Sequence, residues 1–148
     1  MKIRIEFDAD CQDLEVVIRT AALTAEVERL QQELLSLQAE PLIFYKETSE
    51  FFLDLETILF FEADGTKIFA HSRDDAYEVK LKLYELEERL PRYFCRISKS
   101  TIANAKAIYS LDKSFSGTSR ISFYQTHKQV HVSRHYYQTL KERLKETR

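Results

Sequence analysis

Thr57-Ile58-Leu59-Phe60-Phe61-Glu62-Ala63-Asp64-Gly65-Thr66-Lys67-Ile68-Phe69-Ala70-His71 places two apolar, aromatic-rich runs on either side of Asp64-Gly65. Both turn residues tolerate positive φ, so this is a strong hairpin signal and predicts an antiparallel β core. Upstream, Ile43-Phe44-Tyr45-Lys46 and Glu50-Phe51-Phe52-Leu53 read as two more strands across a polar turn. Downstream, strands are expected at 94–97, 107–111, 120–124 and 129–133, with Ser116-Gly117-Thr118 as the turn before the third. Two helices interrupt the strands. One runs from Leu81 to Leu90 with Leu83, Leu86 and Leu90 on one face, and Pro91 stops it. The other starts after Ser133, a good N-cap residue, and carries Tyr136, Tyr137, Leu140 and Leu144 along one side.

Ahead of this β-rich stretch the texture differs. Residues 2–7 and 15–19 read as two short strands. Leu23, Val27, Leu30, Leu34 and Leu37 then recur at alternating spacings of four and three, which is the seam of an amphipathic helix ending before Pro41. That seam packs either on its own domain or on a twin subunit. The expected division is a strand–helix appendage at 1–41, for dimerisation or partner docking, and one mainly β (α+β) domain at 42–148.

With 148 residues and 44% hydrophobic composition, the chain can bury a real core. Two glycines and two prolines leave no room for a Gly-cradled phosphate loop, and no nucleotide-binding fingerprint occurs. The alternating, acidic start lacks the apolar centre of a signal peptide, and no apolar run reaches the ~20 residues of a membrane helix. Cys11 and Cys95 are two distant thiols with no C-x-x-C, which fits a reducing cytoplasm. No paired carboxylates and no Ser/His/Asp set stand out, so neither enzymatic activity, nor a small-molecule substrate, nor a cofactor is expected. His127, His131 and His135 would align on a helix, but Val130 and Val132 alternate with His131 and Ser133 as in a strand, so no metal site is expected. Cys95 precedes Arg96, yet it lies in a strand pattern and reads as an inert cysteine.

The charge distribution is lopsided. Residues 1–91 hold 10 Lys+Arg against 21 Asp+Glu, whereas 92–148 hold 12 against 3, so the net charges are −11 and +9. A basic block of this density is the footprint of a protein that meets a polyanion. The alternatives are a solvated basic face, a module docking an acidic protein partner, or an RNA binder that stacks bases on exposed aromatics. The basic residues do not lie on one recognition helix. They fall at strand ends and turns: Arg96, Lys99, Lys113, Arg120, Lys128 and Arg134. Arg134 is the most informative of them: a cation in the first helical turn opposes the macrodipole by about 0.3–1 kcal/mol, so it points to an anionic ligand or else pairs with an acidic group of the other half. Arg96-Ile97-Ser98-Lys99-Ser100-Thr101 offers two cations and three hydroxyls to phosphate oxygens, or else simply forms a turn.

Four blocks, in order, resemble the LytTR-type DNA-binding domain. They are Ile58-Leu59-Phe60-Phe61-Glu62-Ala63-Asp64-Gly65, then Leu83…Leu86-Glu87…Leu90-Pro91…Phe94, then Arg96-Ile97-Ser98-Lys99-Ser100…Asn104, and Val130-His131-Val132-Ser133-Arg134-His135-Tyr136. The resemblance implies elongated antiparallel sheets with two short helices, laying loops into successive major grooves of double-stranded DNA. It implies a cytoplasmic transcription regulator of direct repeats, working as a homodimer. By position it implies base reading by Arg134, Lys99 and Lys67, and backbone contacts from Arg96, Ser100 and Arg120, with Lys128 added on charge. Many such regulators carry a receiver domain, for which the residues before 42 are too few. The chain is similar to small stand-alone members, some of them restrained by a co-encoded membrane protein.

Overall fold

The computed structural model describes residues 1–148 except Ala39 and 115–117. The Ser116-Gly117 part of the expected turn lies outside the described residues. The elements in chain order are α1 (Ala25–Gln38), β1 (Phe44–Lys46), β2 (Ser49–Phe51), β3 (Phe60–Asp64), β4 (Lys67–His71) and β5 (Ala76–Val79). They continue with α2 (Leu83–Arg89), β6 (Phe94–Ser98), β7 (Thr101–Asn104), β8 (Ile108–Lys113), β9 (Ser119–Phe123), β10 (Gln129–Val132) and α3 (Arg134–Glu146). One antiparallel sheet has the order β2-β1-β5-β4-β3-β7-β6, and a second has the order β10-β9-β8.

The central hairpin forms where the sequence places it. Asp64 pairs with Lys67, so the loop is Gly65-Thr66, and Gly65 takes φ 63°. That is the left-handed region a two-residue hairpin needs, and glycine enters it without a Cβ penalty. Period-two alternation in β3 then sends Phe60 and Phe61 to opposite faces. Phe61 joins Phe44, Ile58, Ile68, Val79, Leu86, Phe94 and Ile102 in a core closed by α2. Phe60 joins Leu59, Ile97, Ile108, Ile121, Phe123, Val132 and Leu140 in a second core, beneath the small sheet and α3. The large sheet is therefore covered on both sides at its centre.

Two strands escaped the pattern reading. All four residues of β7 are buried, because Ile102 and Ala103 feed opposite cores, so no polar alternation marks it. Its last residue, Asn104, donates Nδ2–H to the Ile58 carbonyl at 2.9 Å and accepts from the Lys106 N–H at 3.0 Å, which satisfies a side chain that is almost wholly buried. β5 follows the charged run Arg73-Asp74-Asp75 and is held by its pairing with β4. The helix expected over 81–90 is shorter, Leu83–Arg89, and Ser133 caps α3 without a side-chain hydrogen bond.

The N-terminal expectation needs correction. Residues 2–7 and 15–19 form no strand in the single chain. Strands need partners, and the edge strands β2 and β6 offer their ladders to neither segment. The expected helix does form, as α1, but buries none of its residues. Of the seam, Val27, Leu30 and Leu34 are half-buried, while Leu23 and Leu37 are 71% and 81% exposed.

Candidate nucleic-acid interface

Three connections bring the sequence-predicted readers to one end of the large sheet. The β3–β4 loop sets Lys67 at the first position of β4, exposed to solvent. The β6–β7 turn has Lys99-Ser100 at its tip, closed by the Ser98–Thr101 pair after a bulge that follows Arg96. The Ala63 N–H donates to the Ser100 carbonyl at 2.8 Å, tying this tip to the end of β3 beside Lys67. The Ser133 N–H donates to the Ile97 carbonyl at 2.9 Å, which docks the start of α3, and with it Arg134, onto the end of β6. Lys67, Lys99 and Arg134 thus follow one another along the same edge. From β4 to β6 the row crosses three strand spacings, about 14 Å, close to the ~12 Å width of a major groove.

Lys113 extends the row. It ends β8, opposite Ser119, which in turn faces Val132 at the end of β10, so the small sheet delivers it to the start of α3. Its Nζ lies 5.4 Å from the Tyr137 ring centre. In the sequence it stands only among the basic residues at strand ends and turns. Arg120 lies one residue back, on the exposed face of β9, between Asp112 and His131, with Nη1 3.4 Å from the Gln129 Oε1.

Arg96 and Lys128 occupy different environments from those expected. The Arg96 guanidinium faces inward. Its Nη1 lies 2.5 Å from Glu87 Oε1 of α2, its Nε donates to the Ser98 carbonyl at 2.6 Å, and its Nη2 donates to the Lys99 carbonyl. It grips the turn that carries Lys99 rather than pointing beyond it. Ser100 sits in the same turn, its N–H donating to Ser98 Oγ at 3.2 Å. Lys128 lies at the opposite end, where β4 finishes. Its Nζ donates to the carbonyls of Ser72 at 2.8 Å and Asp75 at 3.3 Å, a strut between the two sheets. Burial lowers its pKa, partly opposed by Asp74 and Asp75. This placement removes Lys128 from the basic edge.

Much of the remaining positive charge is structural. Arg92 pairs in bidentate fashion with Glu146 at 3.0 and 3.1 Å, and holds that carboxyl below its ordinary range. Arg143 donates to the Arg92 and Phe94 carbonyls, and Arg148 to those of Ala105 and Ile108. These contacts fasten α3 to the sheet. Cys95 is buried, and burial pushes its thiol pKa up, away from the thiolate form. His127, His131 and His135 fall in a loop, in β10 and in α3, on no common helix. Among the described residues no group of three or more His, Cys, Asp or Glu is placed to hold a metal ion.

The family model described as LytTr DNA-binding domain matches residues 49–145. An uncharacterized HTH-type transcriptional regulator of Staphylococcus aureus (strain bovine RF122 / ET3-1) is 28% identical over 145 residues, covering 97% of this chain and 98% of that protein. A second protein so described, from strain MSSA476, is 31% identical over 107 residues and covers 72% of each chain. Among solved structures, a LytTr DNA-binding domain from Bacillus cereus superimposes with a TM-score of 0.64 at 22% identity, over 72% of this chain and 98% of that one. Strands separate α1, α2 and α3, so the described residues contain no two helices joined as a helix-turn-helix.

Proposed function

The chain belongs to the LytTr DNA-binding domain family, and from that premise we propose that it is a transcription regulator reading direct repeats in duplex DNA through its basic edge. The observation that carries this reading is the single row formed by Lys67, Lys99 and Arg134 on three turns that share one sheet end. Arg134 has the donor fork that matches guanine O6 and N7, and Lys99 and Lys67 offer ammonium donors to base edges on neighbouring turns. Arg120, Lys113 and Ser100 supply donors to flanking phosphates, which set affinity and register. Arg96 acts one step removed, by fixing the turn that presents Lys99. No chemistry on the DNA is involved.

Two copies on adjacent repeats bring two α1 helices into play. Leu23, Val27, Leu30, Leu34 and Leu37 form the surface through which they pair, and the same surface is where a co-encoded membrane regulator would dock. No helix among the described residues is long and apolar enough to cross a membrane, and the work is done where the DNA is, in the cytoplasm. Selection from random duplex DNA tests the reading. A pair of directly repeated motifs is expected. Equal binding to every duplex, or a preference for single strands that persists in Arg134→Ala, would overturn it in favour of a protein-docking or RNA-binding module.

A further inference from the structure

We infer that residues 2–8 add a strand pair to the α1 homodimer, pairing antiparallel with the same residues of a second copy in a register centred on Ile5. The inference deepens the homodimer part of the reading above and is independent of which DNA is read. In the single chain this segment presents its apolar side to water: Ile3, Ile5 and Phe7 are 81%, 74% and 96% exposed. Arg4 Nη2 lies 2.9 Å from Glu6 Oε1, so these two charges share the other side of the extended backbone. Among the described residues, the only main-chain hydrogen bond between backbone groups before Thr24 is Cys11 N–H to the Asp8 carbonyl. Residues 2–7 therefore carry a strand pattern and an unused ladder.

The sequence of this segment is complementary to itself in one register. With Ile5 opposite Ile5 on the twofold axis, Ile3 faces Phe7, Arg4 faces Glu6 and Lys2 faces Asp8, each pair occurring twice. One face is then wholly apolar, and the other carries four opposite-charge pairs. A slip of one residue opposes apolar to polar positions. A two-residue change in pairing sets Arg4 against Arg4, or Glu6 against Glu6, as does a parallel arrangement. A hairpin within one chain fares no better. Matching Ile3 to Ile18, Ile5 to Val16 and Phe7 to Leu14 puts Glu6 opposite Glu15 and Lys2 opposite Arg19. A two-stranded ribbon is marginal alone. The exposed Leu14 and Val16, a few residues on in the sequence, are available to cover its bare face. The twofold concerns this segment only. The β domain begins near Leu42 and is not bound to share that axis.

Charge reversal in the full chain, read by sedimentation equilibrium, tests the register. The wild type is expected at twice the 17.5 kDa chain mass. Arg4→Glu alone, or Glu6→Arg alone, sets like charges opposite each other twice and is expected to weaken self-association roughly tenfold or more. Mixing the two single variants restores all four pairs, so a dimer of one copy of each should return. In a Cys11→Ser background, Ile5→Cys places two thiols across the axis within disulfide reach and should crosslink on mild oxidation, whereas Arg4→Cys should crosslink far less. A dimer indifferent to both reversals, with no preference for crosslinking at position 5, overturns the strand pairing but leaves a homodimer built on α1 intact. A wild-type chain that stays monomeric overturns both, without touching the DNA reading, which the duplex selection decides separately.

Discussion

The Arg96 guanidinium holds the carbonyl oxygen of Lys99, the residue at the tip of the β6–β7 turn, while its other edge pairs with Glu87 of α2. A cation that looks like a phosphate ligand in the sequence is thus spent on positioning its neighbour. Arg96→Ala is expected to cost about 1–3 kcal/mol of stability, since turn carbonyls and Glu87 lose a charged donor. DNA affinity should fall while the salt slope stays near its wild-type value, because no phosphate contact is removed. Urea denaturation and binding titrations across salt measure both.

Arg134→Ala should weaken the preferred site by about 1–3 kcal/mol and flatten discrimination against single-base variants of it. Arg120→Ala should instead weaken all duplexes alike and reduce the salt slope by about one unit. Competition gel shifts with specific and scrambled duplexes separate the two behaviours. Arg134→Ala that keeps full discrimination would remove it from base reading.

Lys128 lies at the far end of the sheet with its ammonium on the Ser72 and Asp75 carbonyls. Lys128→Met should leave DNA affinity and its salt dependence unchanged. It should lower stability by about 1–3 kcal/mol, the cost of leaving half-buried carbonyls without their donor. Parallel urea melts and gel shifts on one preparation check this.

Asn104 is buried where β7 ends and bonds Ile58 and Lys106 through both halves of its amide. Asn104→Ala should destabilise the domain by about 2–3 kcal/mol, and Asn104→Asp by at least as much, because a carboxylate cannot donate to the Ile58 carbonyl. Thermal or urea midpoints give the values.

His71 stacks on Phe60, 4.3 Å between ring centres, and burial lowers its pKa to about 4, with Lys128 adding to the effect. The unfolded chain takes up this proton near pH 6.5 and the folded one only near 4, so the contribution to stability is complete above pH 6.5 and is lost as pH falls toward 4. Between pH 7 and 5 the loss should be about 1–2 kcal/mol, with the Glu62 carboxylate 3.5 Å away limiting it. His71→Gln should flatten stability across that interval, as read by urea midpoints at stepped pH.

The strands around the central hairpin were legible because each is half-buried or bounded by turn residues, so alternation and Asp64-Gly65 suffice to find them. β7 was hidden by the same logic. Buried on both sides, it has no polar phase to read. The N-terminal segment shows the converse, a clear alternation with no partner strand in its own chain.

The candidate readers divide in a similar way. Sequence alone determined that the basic residues lie at turns and strand ends and that Arg134 stands at a helix start, since these are local properties of spacing and capping. Only the tertiary structure decided which of them share an edge. Lys67, Lys99 and Arg134 meet because β4, β3, β7 and β6 are stacked in a non-sequential order and α3 docks on β6. Arg96 turns onto its own turn and Glu87, and Lys128 lies at the far end on Ser72 and Asp75, because those partners are brought to them by other elements. A side chain's charge is written in the sequence, but what neutralises it is set by long-range packing.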